Sequence, residues 1–218
     1  MPIKAVIYDM DGTLVDSERV SNEAWRRTAE HMGVGIPESM IHSFIGRNAP
    51  SVEAELAAQI GGTDRALEAF RIHGEYFDKL APDMLTLKPS AHESIDALRA
   101  AGCRIGLATS TGRDRAIDRL ARFGLDDAFD STTCGDDGIK NGKPAPDIFL
   151  LAAERLGVEP ASCAVVEDSF NGVRAGHAAG MHVFMVPDLL APTDEIAAMC
   201  DAVLPSLAEL PAAVAVVR

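Results

Sequence analysis

The chain has 218 residues and a formal net charge of −13, with 47% hydrophobic and 24% charged residues. This length fits one sizeable domain, or a core domain with a smaller inserted one. The acidic balance argues against nucleic acid and anionic membrane surfaces as partners, because both carry negative charge. No apolar run approaches the roughly 20 residues that span a bilayer, and the N-terminus lacks the apolar core of a signal peptide. We therefore expect a cytoplasmic protein; its oligomeric state stays open, with a monomer as the expectation.

The first candidate strand, residues 3–8, is followed by two aspartates one residue apart, Asp9 and Asp11. The strand is rich in β-branched and aromatic residues, which is typical of a buried strand. Two carboxylates this close stay ionised together only if a cation or hydrogen-bond donors compensate their charge. Because Mg²⁺ prefers carboxylate and carbonyl oxygens, the pair predicts a magnesium site. The alternative is that both aspartates cap a helix beginning near Asp16, with Gly12 turning the chain.

A block of helical patterns with no strand pattern comes next. Its predicted helices cover residues 18–32, 37–44, 50–60 and 63–80. Pro82 and Pro89 then mark a linker. We therefore expect a small helical domain at 16–83, inserted into a core formed by 1–15 and 84–218.

Beyond the linker, helices and strands alternate. Helices are predicted at 90–101, 114–123, 147–156 and from about 169 to 179, and strands at 103–108, 129–134, 163–166 and 182–186. This alternation predicts an α/β fold with a parallel sheet covered on both faces. In such sheets, sites form outside the carboxyl ends of the strands.

Polar residues follow two of these later strands at their carboxyl ends. Thr109 and Ser110 follow one, and Glu167 and Asp168 follow another, so we expect them to meet the first two aspartates in one crevice. The Thr109 hydroxyl and the N–H groups of Ser110 and Thr111 at a helix start could bind an anion. The alternatives are that Thr109 and Ser110 cap the next helix, and that Glu167 and Asp168 are an ordinary helix start.

These groups suit phosphoryl transfer. Several carboxylates without His or Cys favour Mg²⁺ over zinc. Asp9 has the chemistry of a nucleophile that forms an acyl phosphate, and Asp11 that of a general acid and base. Lys143 lies in a segment stiffened by two prolines and could hold a phosphate there, although a lone loop lysine is more often solvated.

Four segments together resemble the signature motifs of the haloacid dehalogenase-like hydrolase superfamily. They lie at 9–17, at Thr109 after its strand, at 143–147 and at 166–172. The match is specific because the four motifs occur in order at suitable spacings. Within the superfamily, the chain resembles the β-phosphoglucomutase-like group of phosphatases and mutases.

The resemblance implies a Rossmann-like core with an α-helical cap and transfer through an aspartyl-phosphate. Asp9 would be the nucleophile, Asp11 the acid and base, and Thr109 and Lys143 the phosphate-binding residues. The implied Mg²⁺ ligands are the Asp9 carboxylate, the Asp11 carbonyl and Asp168, with Glu167 near or in the coordination shell. True dehalogenases of the superfamily lack the second aspartate, so Asp11 argues against dehalogenation.

The cap region separates a phosphatase from a mutase. The mutase resemblance implies a cap histidine and a cap lysine at positions that hold Ser21 and Ile72 here. Arg71 or His73 could substitute, and Arg47 is a candidate substrate contact. We therefore predict a Mg²⁺-dependent phosphatase for a small phosphomonoester of the sugar phosphate class. A phosphohexomutase is the first alternative, and a non-catalytic ligand-binding protein with the same fold is the second.

Overall fold

The computed structural model describes residues 2–45, 47 and 49–217. The chain forms two compact units: Met1–Val15 with Leu87–Arg218, and Asp16–Thr86. The second boundary between the two units, after Thr86, lies three residues beyond the expected one after residue 83. The reason is that the helix Thr63–Met84 continues through Pro82. The interpretation of Pro82 as part of a linker was therefore wrong. A proline this close to the end of a helix removes one of its last hydrogen bonds without breaking the helix body.

The elements alternate after the helical unit, as the sequence predicts. The strands are β1 (Ala5–Tyr8), β2 (Arg104–Ala108), β3 (Ser131–Thr133), β4 (Cys163–Glu167), β5 (His182–Met185) and β6 (Ala202–Val203). The helices are α1 (Glu18–Met32), α2 (Glu38–Ser43), α3 (Ala49–Ile60), α4 (Thr63–Met84), α5 (Ala91–Ala100), α6 (Arg113–Ala121), α7 (Asp147–Leu156), α8 (Phe170–Ala178), α9 (Asp194–Ala197) and α10 (Leu210–Val216).

Within the described residues, the larger unit holds one six-stranded sheet in the order β3-β2-β1-β4-β5-β6, and every pairing is parallel. The predicted α/β class is therefore confirmed. Strand β1 lies between β2 and β4, with Tyr8 opposite Leu107 and Val166. The residues that follow these strands, Asp9 and Thr109 among them, consequently start from the same edge of the sheet.

Helices cover both faces of the sheet. Alternate residues of a strand point to opposite faces. Ile7 packs in one cluster with Phe149 and Leu156 of α7. The Tyr8 hydroxyl, on the other face, donates to Ser94 Oγ of α5 at 3.1 Å. Covering on both sides explains why β1 is apolar along its whole length and fully buried.

The helical unit has its own core around Trp25 of α1. The edges of Phe44 and Phe70 meet the Trp25 ring at centroid distances of 5.3 and 5.2 Å, and His73 stacks on it at 4.2 Å. Helix α1 has the bounds predicted from its apolar spacing. No helix in the described part of the chain is long and apolar enough to cross a membrane.

Candidate active site

Lys143 is buried at the carboxyl edge of the sheet and bridges two carboxylates. Its Nζ donates to Asp9 Oδ1 at 2.5 Å and to Glu167 Oε1 at 2.6 Å. The ammonium also lies 4.9 Å from the centre of the Phe149 ring. Only 5% of the Lys143 side chain is exposed, so the alternative of a solvated loop lysine is wrong.

Burial strongly affects the pKa values of Asp9 and Lys143. It raises the pKa of the Asp9 carboxyl well above its ordinary value; Lys143 opposes that effect, and the charges of Glu167 and Asp11 add to it. For Lys143, burial alone would lower the pKa, but Asp9 and Glu167 hold it above its ordinary value. An ionised Asp9, which a nucleophile must be, therefore calls for more positive charge than one lysine supplies.

Glu167 is anchored through both carboxylate oxygens. Besides the lysine contact, its Oε2 accepts from Asp168 N at 3.1 Å and from Ser169 N and Oγ at 3.0 Å each. Ser169 is the N-cap of α8 and accepts from Gly172 N at 3.0 Å. Glu167 and Asp168 therefore lie directly before the N-cap of α8, and an ordinary helix start stays an alternative for this pair.

Three buried acids lie close enough to share a cation. Asp9, Glu167 and Asp168 can each offer an oxygen, and these atoms lie within 4.8 Å of one another. Asp168 Oδ1 accepts from Thr13 Oγ1 at 2.9 Å. Only glycine fits at Gly12, where φ is 86° and an added Cβ would lie 2.2 Å from Asp168 Oδ2. An all-carboxylate donor set fits a hard divalent cation.

Asp11 is held by residues from the segment that follows β2. Its Oδ2 accepts from Thr111 Oγ1 at 2.6 Å and from Thr109 Oγ1 at 3.4 Å. Its Oδ1 accepts from Arg119 Nη1 at 2.5 Å. The sequence analysis did not identify Arg119. The available signal was its place three residues after Ala116 and next to Leu120, both on the buried side of α6.

The start of α6 differs from the expected anion cradle. The Thr111 N–H donates to Thr109 Oγ1 at 3.1 Å, so Thr109 already binds it. Helix α6 begins later, at Arg113, whose N–H donates to Asp136 Oδ1 at 3.0 Å. Neither Thr109 nor Ser110 caps α6, so that alternative was wrong. Ser110 is exposed, beside the buried Thr109.

Arg47 belongs to the helical unit and is engaged there. Its guanidinium forms an ion pair with Glu55, and its Nη2 donates to the Ser51 carbonyl at 2.9 Å. These contacts hold the side chain against α3. Its expected contact with substrate stays a prediction.

Ser21 and Ile72 of the helical unit stand at the two positions where the mutase resemblance implies a histidine and a lysine. Ser21 Oγ lies 3.1 Å from His73 Nε2, which brings an imidazole beside Ser21. Ile72 is buried, with 3% of its surface exposed. Arg71 pairs with Glu68 at 2.7 Å on the exposed side of α4. An imidazole thus lies beside the first position, and a buried isoleucine occupies the second.

Comparison with known proteins identifies the family. A model of the family described as haloacid dehalogenase-like hydrolase matches residues 3–180. The chain belongs to this family. A phosphorylated carbohydrates phosphatase from Thermotoga maritima is 37% identical to this hydrolase over 182 residues, which cover 82% of each chain. Members of the family generally use a divalent metal, and the buried acidic cluster is consistent with that.

Two solved structures show the same architecture. CbbY from Rhodobacter sphaeroides in complex with phosphate has a TM-score of 0.81 at 29% identity, covering 95% of this chain and 96% of that one. β-Phosphoglucomutase from Clostridium difficile has a TM-score of 0.79 at 26% identity, covering 95% and 93%. The expected likeness to the β-phosphoglucomutase-like group is confirmed.

Proposed function

We propose that this hydrolase is a Mg²⁺-dependent phosphatase acting on a small phosphomonoester, with a sugar phosphate as the substrate class. The observation that carries the proposal is the contact of Lys143 with Asp9 and Glu167 at the sheet edge where Asp11 and Asp168 also lie. Support for the substrate class comes from the relative that acts on phosphorylated carbohydrates.

In the first step, Asp9 attacks the phosphorus atom. Lys143 binds Asp9 Oδ1 and restrains the rotation of the carboxylate, which leaves Oδ2 as the attacking oxygen. The bond between phosphorus and the ester oxygen breaks, and Asp11 gives a proton to the departing alkoxide. The product is an aspartyl-phosphate on Asp9 and a free alcohol.

In the second step, water hydrolyses the aspartyl-phosphate. Asp11, now a carboxylate, takes a proton from the water, whose oxygen attacks the phosphorus. The bond from phosphorus to Asp9 breaks, inorganic phosphate forms, and the Asp9 carboxylate is regenerated. Lys143 and the Thr109 hydroxyl donate to phosphoryl oxygens, whose negative charge they offset.

The proposed ligands of Mg²⁺ are the carboxylates of Asp9 and Asp168 and the carbonyl of Asp11. When bound, the ion offsets the negative charge of the phosphoryl group and of the carboxylates around it. Glu167 is part of the acidic cluster, but the protein's own donors already contact both of its oxygens. We therefore assign Glu167 mainly to holding Lys143 in place.

The test is phosphate release from a panel of sugar phosphates and other phosphomonoesters, with Mg²⁺ and after chelation. The Asp9→Asn variant is the matched control, since it keeps the size of the side chain and loses its nucleophilic charge. We expect release that requires Mg²⁺ and is absent in the variant. Release that persists in Asp9→Asn would contradict the proposal, and no release on any substrate would favour a binding protein.

A phosphohexomutase is the second candidate because of one contact in the helical unit. The imidazole of His73 beside Ser21 supports a cap group that exchanges protons with a sugar hydroxyl. This function predicts interconversion of hexose phosphates that needs a catalytic bisphosphate. Loss of interconversion in His73→Asn, with phosphate release intact, would support the mutase; hydrolysis without interconversion would exclude it.

A further inference from the structure

Arg119 brings a second largely buried cation to the carboxyl edge of the sheet, where its guanidinium contacts Asp11. Its Nη1 lies 2.5 Å from Asp11 Oδ1. Only 13% of the Arg119 side chain is exposed, and 22% of the Asp11 side chain. A guanidinium withdrawn this far from water is costly unless a charged partner compensates it.

A second arginine of the same segment shows what an ordinary surface pair looks like. Arg122 pairs with Asp118 one turn earlier at 3.1 Å, and their side chains are 36% and 66% exposed. Exposed ion pairs of that kind contribute little to the stability of a protein. Arg119 instead sits on the side of α6 that carries the fully buried Ala116 and reaches across to the end of β1, 108 residues away in sequence.

Together with two hydroxyls, Arg119 restrains both oxygens of Asp11. Oδ1 accepts from the guanidinium, and Oδ2 accepts from Thr111 Oγ1 and Thr109 Oγ1. A carboxylate held at both oxygens has one defined orientation. Proton transfer depends on that orientation, because the acid must lie within hydrogen-bond reach of the departing oxygen.

The chemistry of the partners distinguishes the two oxygens. A guanidinium has donors and no acceptor, whereas a threonine hydroxyl can donate or accept. Oδ1 therefore stays with Arg119, and Oδ2 is the oxygen whose partners can adjust when a proton is carried.

We propose that Arg119 is a positioning residue for Asp11, orienting the carboxyl so that Oδ2 passes a proton to the leaving oxygen. The inference rests on the proposed function. It predicts that Arg119 matters most for substrates whose leaving group needs a proton. An alkoxide needs one, and p-nitrophenolate leaves without one.

The test compares kcat/KM for β-glycerophosphate and p-nitrophenyl phosphate in wild type, Arg119→Met, Arg119→Lys and Arg122→Met. The ratio kcat/KM reports the step in which the leaving group departs. We expect Arg119→Met to lose about 100-fold more on β-glycerophosphate than on p-nitrophenyl phosphate, the scale of general acid catalysis. Arg119→Lys restores part of this loss because it keeps a donor and a charge. Arg122→Met behaves as wild type on both substrates.

Several outcomes would overturn the inference. Equal losses of Arg119→Met on both substrates would indicate a structural or phosphate-binding role, and no loss would indicate no role. If wild type hydrolyses p-nitrophenyl phosphate and not β-glycerophosphate, the enzyme has no general acid for Arg119 to orient. Failure of wild type on both substrates and on the whole sugar phosphate panel would contradict the proposed function together with this inference, whereas the preceding outcomes leave that function in place.

Discussion

Replacing Gly172 by alanine tests how tightly Glu167 is fixed against α8. A Cβ at this position would lie 1.7 Å from Glu167 Oε1 and 1.8 Å from Cδ, far inside contact distance. Glu167 is fully buried and its oxygens accept from Lys143, Asp168 and Ser169. The carboxylate would have to move, and it would lose some of these donors.

The expected change in the free energy of unfolding for Gly172→Ala combines three effects. Alanine favours a helix interior over glycine by about 1 kcal/mol. Overpacking a closed site costs about 1–3 kcal/mol, and losing a hydrogen bond to a charged group costs about 1.5–3 kcal/mol. We therefore expect a net destabilisation of about 1.5–5 kcal/mol, which for a chain of this size corresponds to a Tm lowered by several degrees or more. Turnover should fall as well, because Lys143 shifts with Glu167.

Gly176→Ala is the matched control on the same helix. Its added Cβ would meet Val183 Cγ2 at 3.1 Å and Val165 Cβ at 3.2 Å, a tight contact with aliphatic atoms. Urea unfolding and phosphate release should be measured for both variants. We expect Gly176→Ala to keep turnover and Gly172→Ala to lose most of it. A Gly172→Ala protein with wild-type stability and turnover would refute the reasoning.

Two further substitutions test the surroundings of the site. Thr13→Val removes the donor to Asp168 Oδ1, so we expect the Mg²⁺ concentration for half-maximal turnover to rise about 10–100-fold, while Thr13→Ser stays near wild type. Asp137→Asn removes a carboxylate that accepts from Arg113 at 2.6 Å and Arg155 at 2.5 Å. Near neutral pH we expect its free energy of unfolding to be about 1.5–3 kcal/mol below that of wild type.

The pH dependence of the Asp137 effect has a defined sign. Burial alone would raise the pKa of Asp137, but Arg113, the Cys134 N–H and Arg155 hold it below its ordinary value. The charge therefore contributes stability above about pH 4, and this contribution is lost as the pH falls toward the lowered pKa. Urea unfolding at several pH values should show the gap between wild type and Asp137→Asn closing below about pH 4. A difference in unfolding free energy that stays constant with pH would contradict the ion-pair explanation. For Thr13→Val, an unchanged Mg²⁺ requirement would contradict the role of Thr13 in holding Asp168.

The sequence predicted the sheet edge that carries the site because buried parallel strands are continuous apolar runs. Polar residues directly after such runs, such as Asp9, Thr109 and Glu167, mark the carboxyl ends of the strands, where sites form. The alternation of helices and strands sufficed for the α/β class. Lys143 lies in a loop and has no periodic signal of its own; the two prolines of its segment made it a candidate, and the family resemblance confirmed by comparison strengthened that prediction.

The sequence analysis did not predict β6, α9 and α10. Strand β6 has two residues, too few for an alternating pattern, and α9 has four. Helix α10 is almost wholly apolar, so it has no polar face to establish a helical period. Its Pro211 near the first turn was the usable signal.

The sequence pattern also could not predict which side chains contact one another at the edge of the sheet. Arg119 shares the buried side of α6 with Ala116, but only the folded chain shows that its side chain reaches Asp11. The Thr111 N–H that looked available for an anion instead donates to Thr109 Oγ1. Such contacts depend on distances of a few ångströms, which residue spacing alone does not determine.

The most direct test of the central claim is detection of the phosphoryl group on Asp9. The Asp11→Asn variant keeps the nucleophile and lacks the base for hydrolysis, and acetyl phosphate donates without needing an acid. After incubation with Mg²⁺ and an acid quench, peptide mass analysis should find one phosphoryl group on the peptide that contains Asp9. Hydroxylamine should remove it, and Asp9→Asn should stay unmodified. Phosphate release by wild type, with no phosphoryl group on that peptide in Asp11→Asn, would contradict the account.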